Sequence, residues 1–251
     1  GIVGGLLAMG SLGITVLDEV WRWPRTRRLS LHGHLVLLVS AGLWVGGALL
    51  IFVDETLSGG PIGQLPVGQR LLIAVFHSIS ARTGGFSTVP LIIFSQVSLM
   101  GLLILMFIGA STASMGGGVK TNTVGALLVT LWATVRGREV AEAFGRTIPQ
   151  ETVYKAMAVV VGAMLWVFGA STILAILEDH TLMPLLFETV SAFGTVGYSM
   201  GVTSGLSPAG KLVIIATMFA GRLGPLTLMA ALARPHRLPA IRYPEEKILI
   251  G

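Results

Sequence analysis

The sequence predicts an all-α membrane protein in which a unit of helix, half-helix, glycine-containing loop and helix occurs twice. The first observation behind this fold class is composition. Of 251 residues, 53% are hydrophobic and only 12% are charged, and the mean hydropathy is +0.82. A soluble domain carries about 25% charged residues. The second observation is that two short apolar stretches, residues 71–81 and 182–193, each run into a glycine-containing loop.

The longer apolar stretches define the membrane spans, since a spanning helix needs roughly 20 apolar residues. These stretches are residues 1–17, 35–53, 91–110, 153–177 and 212–233. A shorter run, residues 121–135, continues the 91–110 helix after a break. The two short stretches are too brief to cross, so we interpret them as half-helices that stop midway. Residues 35–135 then form one repeat and residues 153–233 form the next.

Basic residues cluster in particular loops, which predicts the orientation of the chain. The formal net charge is +5, and cations concentrate near residues 22–28, near residues 136–155 and in the tail, residues 234–251. Cytoplasmic loops of membrane proteins carry an excess of Lys and Arg. We therefore place these loops and the C-terminus in the cytoplasm, and we exclude nucleic acid as the partner of the basic residues. The sequence has no cysteine.

Each half-helix is followed by a loop that could coordinate a cation through its backbone. The first loop contains Thr83, Gly84, Gly85 and Phe86, and the second contains Thr195, Val196, Gly197 and Tyr198. The second string is also that of potassium-channel filters. Backbone carbonyls can replace the hydration shell of potassium, and a half-helix directs its partially negative C-terminal end toward the cation. We predict that these residues line a selectivity filter, with potassium at Thr83, Gly85, Thr195 and Gly197. The alternative is that both loops are ordinary turns.

A glycine-rich stretch interrupts the span that begins near residue 91. Its residues include Gly109, Ser111, Gly116, Gly117, Gly118 and Lys120. Non-helical backbone at membrane depth is tolerated where it lines a cavity or is buried in protein, so we interpret the stretch as a gate loop beneath the filter. Close packing of helices through small residues is the alternative. A P-loop is excluded, because Val119 separates the last glycine from Lys120.

Two cations within apolar surroundings are further candidates for the gate. Arg222 lies near the middle of the last span, where a charge is costly and usually faces a cavity or a partner. It is either a positive barrier or an anchor for gate-loop carbonyls; the structural alternative is a pair with Glu188 or with free carbonyls in the bundle. Lys120 either belongs to the gate or extends its amine toward the interface. An enzyme is not predicted, because His77 and Ser78 are adjacent and adjacent helical residues do not face each other.

Five motifs together resemble those of a known family. They are Ser80-Ala81-Arg82-Thr83-Gly84-Gly85-Phe86, Met106–Ser111 with Gly116–Thr121, Ser191–Gly197, Gly221–Thr227 and Tyr243–Lys247. In this order they resemble the C-terminal half of the membrane (pore) subunit of the Trk/Ktr/HKT potassium-transporter superfamily, and the bacterial Ktr type most closely. Gly84 stands where an alanine is expected, and Ser114-Met115 departs from the usual small residues of the gate loop.

This resemblance implies a multi-pass protein of the plasma or inner membrane that takes up potassium without a bound cofactor. The ion is then the substrate, with sodium dependence left open. Residues 1–17 become the closing helix of a preceding repeat, and residues 35–135 and 153–233 become the third and fourth pore repeats. The implied partners are the bilayer, a second membrane subunit in a homodimer, and a cytoplasmic ring of nucleotide-binding regulatory subunits. A non-conducting scaffold and a sodium-selective member of the same fold remain the alternatives.

Overall fold

The part of the chain that the structure describes is mainly helical. The computed structural model describes residues 2–27, 29–138 and 140–224, and in order along the chain its helices are α1 (Ile2–Leu12), α2 (Ile14–Thr26), α3 (Leu31–Ser58), α4 (Val67–Ser80), α5 (Gln96–Phe107), α6 (Thr121–Val135), α7 (Gln150–Leu177), α8 (Leu182–Gly194) and α9 (Pro208–Leu223). Strand pairing in these ranges is limited to a two-residue hairpin, β1 (Glu142–Ala143) with β2 (Arg146–Thr147), and an isolated bridge between Ile108 and Val119. The predicted all-α class is confirmed.

Two of these helices, α3 and α7, are long and apolar enough to cross a membrane by themselves. Each has 28 residues, which corresponds to about 42 Å of helix at 1.5 Å per residue. That length covers the hydrocarbon core of a bilayer, about 30 Å, with a turn or more to spare at each end. Each of them is followed by a short helix, α4 after α3 and α8 after α7. These short helices lie where the two half-helices were predicted, at residues 71–81 and 182–193.

The second helix of the first repeat is broken. A 3-10 turn over Leu91–Ile93 precedes α5, which ends at Phe107, and α6 resumes at Thr121. Residues 91–110 were expected as one helix, but the helical part begins at Gln96 because Ser95 is its N-cap and accepts a bond from the Ser98 amide at 3.1 Å. The break between α5 and α6 contains the glycine-rich stretch, as predicted.

The helices that follow the two loops begin in the same way. Ser95 and Ser207 are the N-caps of α5 and α9. Each serine is held by a carboxylate from the end of the preceding long helix: the Ser95 amide donates to Glu55 at 2.8 Å, and the Ser207 hydroxyl donates to Glu178 at 2.6 Å. These two carboxylates therefore fix where the helices start, and the shared arrangement supports the internal repeat.

The N-terminal segment differs from the sequence expectation. Residues 1–17 were predicted to form one helix, whereas α1 ends at Leu12 and α2 starts at Ile14, with the two axes bent by 101°. The bend occurs at Gly13, whose φ of 81° and ψ of 151° are not helical. Sequence reasoning missed this bend because the apolar run continues through it.

The last predicted helix is described only to its C-cap. Helix α9 runs to Leu223, so the predicted extension to residue 233, the motif residues 225–227 and 243–247 and the tail 234–251 lie outside the described residues.

The core packs where the two repeats meet. Large, fully buried side chains there come from both repeats, among them Leu99, Leu102, Met106, Phe187 and Phe193.

Candidate functional site

Both predicted filter segments begin at the C-terminal end of a half-helix. After α4, the amides of Thr83, Gly84 and Gly85 all donate to the carbonyl of Ser80, at 3.3, 2.7 and 3.2 Å. After α8, the Val196 amide donates to the Ser191 carbonyl at 2.9 Å. The carbonyls that end each half-helix are thereby used to fold the loop tightly back on the helix. The partially negative ends of α4 and α8 lie next to these loops, which favours a cation there.

The two predicted filter segments contact each other. A Cβ built on Gly85 would overlap the carbonyl oxygen of Val196, and a Cβ on Gly197 would lie 3.9 Å from the Cα of Gly85. Both glycines have positive φ, 65° and 97°, a region that residues with a Cβ rarely adopt. Glycine is therefore required at Gly85 by close approach and at both positions by backbone conformation. Segments separated by about a hundred residues in sequence thus meet at their glycines.

Side chains brace the two loops at a shared carbonyl. The Phe86 oxygen accepts a bond from the Ser80 hydroxyl at 2.7 Å and one from the Tyr198 hydroxyl at 3.1 Å. Ser191, which occupies the corresponding place in the second repeat, accepts a bond from the Gly197 amide at 3.2 Å. Both acceptor positions of the Phe86 carbonyl are thereby occupied, so this carbonyl braces the two loops.

Cavities border the two loops. One has a volume of about 440 Å³ and is lined by both glycines, Gly85 and Gly197, together with Tyr198. Another, of about 620 Å³, is lined by Thr195, Gly197 and Arg222. Gly197 and Tyr198 border both cavities. The second loop thus lies between the two cavities. Thr195 and Arg222 line only the cavity of about 620 Å³.

The predicted gate loop, residues 109–120, leaves the helix through a closed neck formed by Phe107, Ile108 and Val119. Ile108 and Val119 form a parallel bridge, and the Val119 amide donates to the Phe107 carbonyl at 3.1 Å. The loop therefore starts and ends at the same place, where α5 stops and the chain turns toward α6.

The glycines of the gate loop lie directly against the threonines of the predicted filter. A Cβ on Gly116 would overlap the methyl group of Thr83, and one on Gly117 would lie 2.7 Å from the methyl carbon of Thr195. The Gly117 amide also donates to the Thr195 hydroxyl at 2.8 Å. The structure thus brings the predicted gate residues into contact with the predicted filter residues of both repeats.

Arg222 and Lys120 bond to carbonyls of the gate loop. Arg222 donates to the carbonyl of Met115, and the Lys120 amine donates to the carbonyl of Gly116. The alternative pairing of Arg222 with Glu188 is not formed; Glu188 instead accepts a bond from the Thr203 hydroxyl. Of the two functional roles considered for Arg222, the geometry favours the anchor, and the same contact type applies to Lys120.

Arg82 is a further candidate that sequence reasoning did not single out. It lies at the end of α4, is completely buried, and donates to the Gly109 carbonyl at 3.0 Å and to the Thr121 hydroxyl at 2.6 Å. Its guanidinium also lies 5.6 Å from the ring centroid of Trp44. Arg82 therefore ties the end of the first half-helix to both ends of the gate loop. A charged residue between a half-helix and its loop was the available signal.

Ser111 attaches the start of the gate loop to the bend between α1 and α2. Its hydroxyl donates to the carbonyls of Ser11, at 3.0 Å, and Leu12, and its amide also donates to Ser11 at 3.0 Å. The hydroxyl is buried and engaged, which is unlike a catalytic nucleophile. His77 and Ser78 also bond separately, to the carbonyls of Ile73 and Trp44 at 2.9 and 2.8 Å.

Replacing Gly13 with alanine is expected to disturb this attachment. A Cβ at Gly13 would lie 2.6 Å from the Thr112 carbonyl oxygen, and the residue has positive φ. Such backbone strain costs about 1–3 kcal/mol, so thermal unfolding should shift down by about 2–4 °C per kcal/mol. Gly10→Ala is the control, since nothing lies within 4 Å of its added Cβ. Equal melting temperatures for both variants would contradict the close contact at Gly13.

Comparison with known proteins places these features in a family. Residues 25–240 match the description "TrkH: Cation transport protein". The chain is 38% identical to "Ktr system potassium uptake protein B" of Vibrio alginolyticus, over 99% of this chain and 55% of that protein. It is 35% identical to the protein of the same name from Bacillus subtilis, over 100% of this chain and 56% of that one. "Potassium/sodium uptake protein NtpJ" of Enterococcus hirae is 35% identical, with shares of 100% and 56%.

A solved structure has the same fold. The potassium transporter TrkH from Vibrio parahaemolyticus matches with a TM-score of 0.71 at 17% identity, over 92% of this chain and 51% of that one. The chain spans about half the length of the relatives it matches. These relatives are transport proteins and not enzymes, which agrees with the apolar helices and the absence of a predicted catalytic site. The chain belongs to the TrkH family of cation transport proteins and is related to its Ktr membrane subunits.

Proposed function

We propose that this chain forms part of a potassium-uptake permease and supplies two segments of its selectivity filter. The observation that carries the proposal is the meeting of the loops at Gly85 and Gly197, each at the C-terminal end of a half-helix. Carbonyls of Thr83, Gly85, Thr195 and Gly197 would replace the hydration shell of the ion. Potassium would move passively down its electrochemical gradient, favoured midway through the membrane by the ends of α4 and α8.

The gate loop would close the path on one side of the filter. Gly116 and Gly117 contact Thr83 and Thr195, the first filter residues of the two repeats. Arg222 and Lys120 hold loop carbonyls, so the loop has side-chain anchors that could be released. Gly109 and Gly118 lie next to the closed neck. Motion of the loop about these glycines would leave α5 and α6 in place. Conduction would require the loop to withdraw from the two threonines.

The location and partners follow from the charges and from the relatives. Apolar helices support a position in the plasma or inner membrane, and the positive-inside pattern supports basic loops and a C-terminus on the cytoplasmic side. The relatives named for a Ktr system support a cytoplasmic regulatory partner. We infer a homodimer of membrane subunits docked on a nucleotide-binding ring, with the basic loop that follows α6 among the docking surfaces.

Two related functions are kept as alternatives. A sodium-selective member of the fold would use the same loops, and one relative is named for potassium and sodium uptake. A non-conducting scaffold would retain the helices but show no flux. The two are separated from the proposal by ion competition and by flux itself.

Rubidium uptake into proteoliposomes tests the proposal. The complete natural polypeptide that contains this chain would be reconstituted with its cytoplasmic partner, and potassium and sodium would serve as competitors. We expect saturable uptake that potassium blocks. Blockage by sodium instead would favour the sodium-selective alternative, and absence of uptake from folded protein would favour the scaffold.

Gly197→Ser is expected to weaken discrimination of potassium over sodium. The residue has φ of 97°, so a side chain there strains the backbone and shifts neighbouring carbonyls. A tenfold loss of selectivity corresponds to about 1.4 kcal/mol, and we expect a loss of about this size in competition assays. Gly59→Ser is the control, because Gly59 also has positive φ but lies in open space at the end of α3. Unchanged ion competition in Gly197→Ser would remove this residue from the filter.

Thr195→Val is expected to raise the uptake rate. The change keeps the size of the side chain but removes the acceptor for the Gly117 amide. A hydrogen bond is worth about 0.5–1.5 kcal/mol, so the closed loop should be destabilised enough for about a fivefold increase in initial rate. Thr217→Val is the control, since the Thr217 hydroxyl bonds within its own helix, to the Val213 carbonyl at 2.8 Å. Equal rates in the two variants would argue against this loop contact as part of the gate.

A further inference from the structure

A crevice on the outer side of the helices is not explained by the filter or the gate. It lies among α5, α6, α7 and α8 and has a volume of about 590 Å³, within the range of about 300–1,000 Å³ that is usual for ligand sites. Its lining consists entirely of aliphatic side chains, methionines and phenylalanines. Helix α8 separates it from the filter: Leu186 and Val190 face the crevice, whereas Glu188 and Ser191 face the cavity beside Thr195.

The crevice opens onto apolar helix surface. Leu128 and Leu131 on α6 and Phe168 on α7 line it and are also exposed. Exposed apolar side chains on both sides of an apolar cleft are expected where lipid, and not water, is the surrounding solvent. An elongated hydrocarbon can therefore enter the crevice from the surrounding lipid and lie parallel to the helices.

The end of α6 supplies groups suited to a lipid head group. Trp132 is exposed and directly follows Leu131, the last α6 residue of the crevice, and the guanidinium of Arg136 lies 4.6 Å from its ring centroid. Trp132 and Arg136 also line a separate small cavity with Arg138 and Glu142. Tyr154 is exposed near the start of α7, the neighbouring helix. Tryptophan and tyrosine are enriched at membrane interfaces, and arginine there attracts anionic head groups. Arg136 follows Leu131 by five residues, or about 7.5 Å of helix, so an acyl chain in the crevice would bring its phosphate toward this arginine.

We propose that this crevice binds a membrane phospholipid, with an acyl chain among α5–α8 and the phosphate near Arg136. The acyl chain would pack directly on the neck of the gate loop, because Phe107, Ile108 and Val119 all line the crevice. Phe107 in turn stacks on Phe193 at the end of α8, with centroids 6.1 Å apart. Any effect of the lipid on flux rests on the proposed gate, whereas lipid binding itself does not.

Neighbouring residues on α7 provide a matched test. Met164 lines the crevice, whereas Leu165 is exposed but outside it. Met164→Trp should fill the crevice, and Leu165→Trp should add the same ring to the outer surface. The complete polypeptide would be purified in detergent, stripped of bulk lipid and titrated with phosphatidylglycerol, with bound lipid counted by native mass spectrometry.

We expect the parent and Leu165→Trp to bind phosphatidylglycerol equally and Met164→Trp to bind it about tenfold more weakly. Leu128→Trp, which fills the crevice from α6, should reproduce the loss if Met164→Trp does not fold. Equal binding by the folded crevice variants and Leu165→Trp, or no bound lipid in the parent, would overturn the proposal.

A second copy of the chain is the competing occupant. This sequence has no cysteine, so Met164→Cys introduces a single thiol into it. In a background free of other cysteines, oxidation should leave the variant uncrosslinked if lipid occupies the crevice. Efficient crosslinking between two copies through this thiol in membranes would overturn lipid as the occupant.

Discussion

Gly85→Ala is expected to abolish selective uptake. The added methyl group would overlap the Val196 carbonyl oxygen of the other repeat, and the left-handed backbone at φ 65° costs about 1–2 kcal/mol for a residue with a Cβ. The clash is with backbone and not with a mobile side chain, so a carbonyl next to Gly197 must move. Displacement of one carbonyl alters the proposed ion ring directly.

The loss should exceed that in Gly197→Ser, because a Cβ on Gly197 would come no nearer than 3.9 Å to another residue. We expect at least a tenfold decrease in potassium-competed rubidium uptake, which corresponds to about 1.4 kcal/mol or more. Gly46→Ala is the matched control: it changes a glycine of α3 for which the added Cβ meets nothing within 4 Å. Both proteins would be compared by uptake and by thermal unfolding.

Retention of selective uptake by folded Gly85→Ala would show that the two loops do not approach as closely in the conducting protein. A decrease of equal size in Gly46→Ala would assign the effect to loss of glycine in general. A large effect in Gly85→Ala alone is the result that the contact between the repeats predicts.

Arg82→Met is expected to destabilise the protein and release the gate loop. The substitution removes bonds to Gly109 and Thr121, at opposite ends of the loop. Hydrogen bonds to charged groups are worth about 1.5–3 kcal/mol each. Methionine also removes the cost of burying a charge, so we expect a net loss of about 2–3 kcal/mol. The corresponding fall in melting temperature is about 2–4 °C per kcal/mol.

The flux measurement separates a gate effect from simple destabilisation. If Arg82 holds the loop closed, the folded variant should take up rubidium without the cytoplasmic partner, at a rate near that of the activated parent. Lower flux together with lower stability would mean that Arg82 supports the filter and not the closed gate.

Arg70→Met is the control for this experiment. Arg70 lies on α4, the helix that Arg82 directly follows, and its side chain donates to the exposed hydroxyl of Thr56 at 3.1 Å. Contacts of this exposed kind usually contribute within about 0.5 kcal/mol. The variant should therefore keep the melting temperature and the partner dependence of the parent. A matching change in both variants would argue that loss of either arginine of this segment has this effect.

Sequence reasoning was most successful where a pattern is local. Hydrophobic length separated the two long helices from the half-helices α4 and α8, because a bilayer sets a minimum length for a span. Runs of glycine identified the break between α5 and α6, because the helix propensity of glycine is poor. Family resemblance followed from short motifs in a given order, and the match over residues 25–240 confirmed it.

Errors occurred where a distant contact overrides the local pattern. The bend at Gly13 was missed because the apolar run passes through it; its reason is the gate loop packed against it, with Ser111 bonded to Ser11. For Arg222 the sequence left several partners open, and the structure bonds it to the Met115 carbonyl of the gate loop. Neither contact has a signature in the neighbouring residues.

By itself, the sequence determined the membrane class, the repeat of long helix and half-helix, the family and the candidate loops. These depend on hydrophobicity, helix propensity and short motifs, which act over a few turns of chain. The tertiary structure alone decided that Gly85 meets Val196, that Gly117 bonds to Thr195, and that buried Arg82 joins a half-helix to both ends of the gate loop. Such contacts join residues far apart in sequence, and only the packing of the two repeats brings them within bonding distance.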